Sequence, residues 1–215
     1  MLPFRTDADV DAAAPAVQAQ LTAGRLIAYP TETVYGVGSF ANAAALDRLA
    51  LLKGRPAGKP FLLLVDGIEM LGAVGLVLNS SARVLARAFW PGPLTLVLRG
   101  GEGRLPDRLR GPEGGIAVRW TSHRGVARLL RHLGQPLTST SANLPGEQAA
   151  PGAESIAQFF PEAIAAGELL VLDGGVLGNV PPSTLVDCTG VVPRLVREGA
   201  IPRAELRRRA GSSAP

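Results

Sequence analysis

Cysteine is almost absent from this chain. Cys188 stands alone among 215 residues, which excludes a disulfide framework and any multi-cysteine zinc site. A lone thiol of this kind reads as a small buried apolar side chain. Histidine is nearly as scarce: His123 and His132 are the only two, too little material for a transition-metal centre. Aromatic residues make up 5%, leaving few platforms on which the bases of single-stranded RNA could stack. No apolar run approaches the ~20 residues a membrane-spanning helix needs, and no basic-then-apolar leader opens the chain. The expectation is a cytoplasmic protein without a membrane partner.

Familiar catalytic signatures are missing too. The chain has no G-x-x-x-x-G-K-[ST], no G-x-G-x-x-G after a strand and no kinase set. A Ser-His-Asp hydrolase is poorly supported, because there is no G-x-S-x-G elbow and His123 has no obvious nucleophile partner. His123 reads as a cap or surface residue, and His132 as solvated.

What the chain does have is 47% hydrophobic and 19% charged residues, the balance of an ordinary globular protein. Its length suffices for one domain with a real core. A formal charge of +4 and a pI near 10 favour anionic partners such as nucleotides, phosphates or RNA. Part of that excess sits in Arg207-Arg208-Arg209.

Periodicity predicts interleaved elements. A helix over 9–24 is capped by Asp9 or Asp11, turns Val17 and Leu21 inward and ends at Gly24. A strand over 25–29 breaks at Pro30. Residues 31–38, two threonines and then two glycines, read as backbone bent closely around something and not as a simple strand. Asn42 caps a helix ending near Lys53, 61–65 is a buried strand, Asp66 caps a helical turn, and Asn79 or Ser80 caps a helix stopped by Pro91-Gly92-Pro93. Strand 94–98, a mobile Gly/Pro/Arg-rich loop at 100–115, strand 116–119 and a helix from Thr121 or Ser122 to Gly134 follow. Beyond them lie a helix over 153–166 interrupted by Pro161, strands at 169–172, 184–187 and 194–197, and a short helix with a flexible basic tail over 203–215. This order implies an α/β fold: one domain over residues 1–215, a twisted mixed sheet flanked by helices.

The most unusual stretch is Leu137 to Gly146, LTSTSANLPG. Clustered hydroxyls and an amide suit the mouth of a pocket, since they donate and accept without carrying charge; an ST-turn or helix cap is the alternative. Other strands also border polar or cationic residues: Thr31 and Thr33, Arg119, Ser139 and Ser141, Ser183, Arg197. Open α/β sheets bind ligands outside strand ends, so these residues are expected to converge on one crevice. Lys53, Arg55, Lys59, Arg119 and Arg197 would make it strongly positive, with arginine suited to bidentate capture of carboxylate or phosphate.

Seven ordered motifs resemble the YrdC-like threonylcarbamoyl-AMP synthases. They are Tyr29-Pro-Thr-Glu-Thr-Val-Tyr-Gly-Val-Gly38, Lys53-Gly-Arg-Pro56 with Lys59-Pro60, Trp90-Pro-Gly-Pro-Leu-Thr95, Ala117-Val-Arg119, Ser139-Thr-Ser-Ala-Asn143 with Gly146, Pro182-Ser-Thr-Leu-Val-Asp187, and Arg197-Glu-Gly199. Together they span residues 29–199. The resemblance implies a basic concave cavity in which ATP, L-threonine and bicarbonate or CO2 give threonylcarbamoyl-adenylate and pyrophosphate. Partner proteins would pass the threonylcarbamoyl group on to tRNA. By motif position Arg55, Lys59, Ser141, Asn143 and Arg197 would serve ATP, with Lys53 beside them and Lys53 and Arg55 catalytic. Thr31, Thr33, Arg119, Ser139 and Ser183 would hold L-threonine. Mg2+ would arrive with ATP, because no dedicated carboxylate cage is visible.

Some positions depart from the family's pattern. Ala57-Gly58 stands where many members carry an acidic residue, Leu64 replaces a histidine of some longer members, and Trp120-Thr121 stands where proline often follows the strand arginine. The chain resembles the short form without an extra C-terminal domain. Competing readings are an inactive paralogue, a duplex-RNA-binding module using the same basic cavity, and a carbamoyl-transfer domain like that of hydrogenase maturation proteins.

Overall fold

The computed structural model describes residues 1–55, 59–211 and 215. Its strands are β1 (Leu2–Pro3), β2 (Leu26–Tyr29), β3 (Gly36–Gly38), β4 (Leu62–Val65), β5 (Leu76–Val77), β6 (Leu94–Gly100), β7 (Ile116–Trp120), β8 (Leu137–Ser141), β9 (Leu169–Asp173), β10 (Thr184–Asp187) and β11 (Arg194–Arg197). They join in one mixed sheet of order β1-β9-β2-β3-β8-β4-β7-β6-β10-β11, with β5 added to β6. The helices are α1 (Asp7–Thr22), α2 (Ala43–Leu52), α3 (Ile68–Ala73), α4 (Ser80–Phe89), α5 (Arg124–Leu133), α6 (Ala153–Phe159), α7 (Pro161–Ala165) and α8 (Arg203–Ala210). The expected mixed α/β architecture is the observed one.

Helix boundaries follow side-chain chemistry. Asn42 and Asn79 accept from the backbone N–H groups of Ala45 and Ala82, as their positions predict. Gly134 closes α5 in the left-handed region. Three helix starts differ from expectation, although the second agrees with the separate reading of His123 as a cap. Thr6, not Asp9 or Asp11, caps α1: its hydroxyl accepts from Asp9 N–H while the Asp9 carboxylate accepts from Thr6 N–H. His123 Nδ1, not Thr121 or Ser122, accepts from Val126 N–H at the start of α5. Gly67 precedes α3 without a side-chain cap, so Asp66 has no such role.

Two further corrections concern loops. Gly36–Gly38 is a true strand, antiparallel to both β2 and β8. What its glycines approach is the neighbouring strand: a Cβ on Gly38 would lie 1.8 Å from the Thr138 carbonyl oxygen. The 100–115 stretch is anchored by buried Leu105 and Leu109, with Arg110 donating to the Gly100 and Gly114 carbonyls. The departure at Ala57-Gly58 and the tail at 212–214 lie outside the described residues. Leu64 is fully buried in an apolar cluster with α1 and α5 residues, His132 meets Asp11 at 2.8 Å, and Cys188 is buried.

The sheet has unequal faces. One is backed along its length by an apolar core that includes α2, α4, α6 and α8 and receives Leu63, Leu94, Leu96, Leu98, Ile116, Val118, Val171 and Val186. The other packs against α1 and α5 through Ile27, Tyr29, Leu64, Leu137 and Leu172. That second cover stops at β4. Strand side chains alternate between faces, so the alternate residues of β6, β7 and β10 point to a side no helix fills.

Gly38→Ala should therefore break the β3–β8 ladder, because the clash is with backbone that cannot rotate away. We expect a loss at the upper end of the ~1–3 kcal/mol usual for overpacking, read as a lower urea midpoint.

Candidate active site

The unfilled face carries a cavity of about 580 Å³. Strand register arranges its floor in two rows. Ser139, Leu62, Ala117, Val97, Asp187 and Arg194 lie side by side across β8, β4, β7, β6, β10 and β11. Two residues further along β7, the next row runs Arg119, Thr95, Leu185, Arg197, of which the last three line the cavity; Leu64, the β4 neighbour of Arg119, already lies under the α1–α5 cover. The sequence reading placed the convergence at strand ends; it lies on the sheet's face instead, because this is where helical cover gives out.

One wall is cationic. Arg55 and Lys59 line it with Ser139, Thr140 and Ser141. The Arg55 guanidinium donates to the carbonyls of Lys59 (2.9 Å) and Pro60 (2.6 Å) and to the Thr140 hydroxyl (2.9 Å), and lies 4.6 Å from the Phe61 ring centre. Lys53 is 7% exposed. Its ammonium donates to the Asn143 carbonyl and, at 2.9 Å, to Asn143 Oδ1, which also accepts from the Ser141 hydroxyl at 2.7 Å. Burial, then the charges of Arg55 and Lys59, pull the Lys53 pKa down to about 8.

Arg119 is 3% exposed and lies beside cavity-lining Thr95. It donates from Nη1 to the Thr33 hydroxyl at 3.1 Å, and Thr33 shares a hydrogen bond with Thr31 at 3.1 Å. Glu32, between those threonines, sets Oε1 3.6 Å from Arg119 Nε and accepts from the Thr121 hydroxyl on Oε2 at 2.7 Å. Thr95 and Ser183 share a hydrogen bond at 2.8 Å, and Arg197 donates twice to the Ser183 carbonyl, at 2.8 and 3.3 Å. Burial, and then Arg119 nearby, lower the pKa of Arg197.

The structure thus groups Thr31, Thr33 and Arg119 in a buried cluster beside Thr95, joins Ser183 to Arg197 on the β10–β11 side, and sets Arg55, Lys59, Ser139 and Ser141 in the cavity lining with Lys53 and Asn143 behind. Sequence reasoning missed Glu32, Thr121, Thr95, Asp187, Arg194 and Glu113. Asp187 accepts from Arg194 and Thr189, and Arg194 also reaches Glu113 at 3.6 Å. Glu32 is oriented by a residue 89 positions away, and the Asp187–Arg194 pairing depends on register, so neither had a local signal. Burial, with Asp187 beside it, pushes the Cys188 thiol up to about 12, so it is no ready nucleophile.

An anion seated against Lys53 should restore its proton. Inorganic triphosphate binding at pH 8.5 should take up a fraction of a proton, approaching ~1 at higher pH, measured by calorimetry in buffers of different ionisation enthalpy. Lys53→Met should remove that uptake.

Comparison with known proteins matches this geometry to a family. The chain is 41% identical over 186 residues to a threonylcarbamoyl-AMP synthase of Thiobacillus denitrificans, covering 86% of this chain and 96% of that one. The structure of Pyrococcus abyssi Sua5 complexed with L-threonine superposes with a TM-score of 0.85 at 32% identity; it covers 98% of this chain, which spans 61% of that longer one. Escherichia coli YciO gives a TM-score of 0.78 at 28% identity, covering 92% of this chain and 93% of its own. With the Sua5/YciO/YrdC model, described as telomere recombination, matching residues 19–199, the chain belongs to the Sua5/YciO/YrdC family.

Proposed function

We propose that this chain is an L-threonylcarbamoyladenylate synthase, a nucleotidyltransferase that uses ATP, L-threonine and bicarbonate or CO2. The observation that carries the reading is one cavity with two chemically different ends. A buried arginine among hydroxyls, beside cavity-lining Thr95, suits an amino-acid carboxylate, and a wall of Arg55 and Lys59 with Lys53 behind it suits a polyphosphate.

Arg119 would hold the threonine carboxylate, with Thr31, Thr33, Ser139 and Ser183 supplying neutral donors and acceptors. Arg55, Lys59, Ser141 and Arg197 would hold the nucleotide, and Lys53 with Asn143 would set that wall's shape. Threonine's neutral amine adds to CO2 to give a carbamate, with its proton released to solvent. A carbamate oxygen then attacks the α-phosphorus, the new P–O bond forms, and the bond to the leaving pyrophosphate breaks. The chain's part is to place two anions together and to neutralise charge as it shifts onto pyrophosphate. Lys53 and Arg55 are placed for the second task. No covalent nucleophile is needed.

Magnesium would enter as part of the nucleotide substrate. Asp187 and Glu113, the carboxylates lining the cavity, are both engaged by Arg194. Among the described residues, no three His, Cys, Asp or Glu side chains cluster as a metal site. Downstream, proteins that move the threonylcarbamoyl group to tRNA would consume the product. The duplex-RNA reading gains nothing from a deep small-molecule cavity, and any RNA binding would be weak and electrostatic. No helix among the described residues is long and apolar enough to cross a membrane.

Pyrophosphate release should require threonine and a bicarbonate source together; release independent of threonine would mark a simple nucleotide hydrolase. Arg119→Lys keeps the charge but loses the two-pronged carboxylate contact, so threonine affinity should fall roughly 10- to 150-fold while ATP affinity stays near wild type. Arg55→Ala should weaken ATP first. Calorimetry on both variants separates the two ends; the reverse pattern would overturn this division of the cavity.

A further inference from the structure

We propose that Glu32 is a specificity-determining residue: it holds the Arg119 end of the cavity near charge neutrality, so that end admits a single carboxylate and refuses phosphates. The inference rests on reading Arg119 as the threonine-carboxylate site.

The geometry is that of a fixed counter-charge more than of a bonded pair. Thr121 anchors Oε2 of Glu32 at 2.7 Å, leaving Oε1 3.6 Å from Arg119 Nε. Neither Oε1 nor Nε has a hydrogen-bond partner among the described residues. Glu32 therefore offsets the guanidinium's charge without occupying its Nη edge, where Nη1 meets Thr33. The other cations around the cavity are arranged differently. Arg55, Lys53 and Arg197 donate to carbonyl, hydroxyl and amide oxygens, which leave their net charge intact.

Such a difference matters because the two ends are continuous. Arg119 lies two residues along β7 from cavity-lining Ala117 and beside Thr95, and it is close enough to Arg197 to lower that group's pKa. Without Glu32, Arg119 and Arg197 would form a second phosphate site, and pyrophosphate could settle where threonine belongs. A carboxylate within a few ångströms opposes each further negative charge on a ligand. The discrimination is on the order of tenfold for each extra ligand charge in a partly screened site. A monoanion pays this once and recovers it through two-pronged hydrogen bonding to arginine; pyrophosphate pays it several times over.

The test is calorimetric competition between L-threonine and inorganic pyrophosphate at fixed ionic strength, on wild type, Glu32→Gln and Thr121→Val, with circular dichroism as the fold check. In wild type, pyrophosphate should leave threonine binding unchanged at concentrations that saturate the cationic wall. In Glu32→Gln it should displace threonine, at a concentration at least tenfold below any that does so in wild type. Thr121→Val, which frees the carboxylate from its anchor, should shift the same way by a smaller factor and carries the test if Glu32→Gln does not fold. Pyrophosphate that fails to displace threonine in the folded variants, or displaces it equally in wild type, overturns the proposal. Wild type that binds no threonine overturns the site assignment beneath it, a result distinct from the failure of Glu32 alone.

Discussion

A β-strand has two faces, and a sheet must dispose of both. Here the face backed by α2, α4, α6 and α8 is filled with aliphatic side chains along its length, whereas the other is covered by α1 and α5 only as far as β4. Everything functional hangs on that shortfall. The alternate residues of β6, β7 and β10 are freed from packing, and the chain sets Thr95, Ala117, Arg119 and Asp187 there. Their positions are rigid because their strand neighbours Leu94, Leu96, Val118 and Val186 are locked in the core behind. A site built on strands held this way resists the displacements of about an ångström that degrade catalysis on loops.

The cost of such a floor appears in its electrostatics. Burial disfavours the charged forms of Lys53, Arg55 and Arg197 alike. Lysine, with the lowest starting pKa of the three, is the one brought near neutral pH. The guanidiniums keep their protons because their ordinary pKa lies so much higher. Arginine thus carries permanent charge around the cavity, whereas the charge of Lys53 is the one that solution pH can change.

Much of this was legible in the sequence. Asn42, Asn79 and Gly134 announced element ends because capping is local chemistry, and the aliphatic alternation of Leu94 to Leu98 announced a strand. Thr6 was overlooked in favour of the acids after it, although Asp9 does belong to the cap as its reciprocal partner. Residues 31–38 were seen to approach something closely, but what they approach is set by long-range pairing with β8. The candidate site residues were chosen by type, and their grouping was not legible. Arg119 sits beside Thr95 only through antiparallel register, and Asp187 meets Arg194 only across the β10–β11 hairpin. Glu32 was hidden by the threonines around it, since nothing local reveals that Thr121, 89 residues away, orients its carboxylate.

The β3–β8 contact has a consequence for how the enzyme can move. Gly36 and Gly38 let β3, which follows the bend carrying Thr31 and Thr33, lie so close to the strand carrying Ser139 and Ser141 that a side chain on either glycine would collide with it. The two segments are therefore welded into one rigid plate, bearing groups from both ends of the cavity. Closure around substrates cannot proceed by sliding one of these motifs past the other.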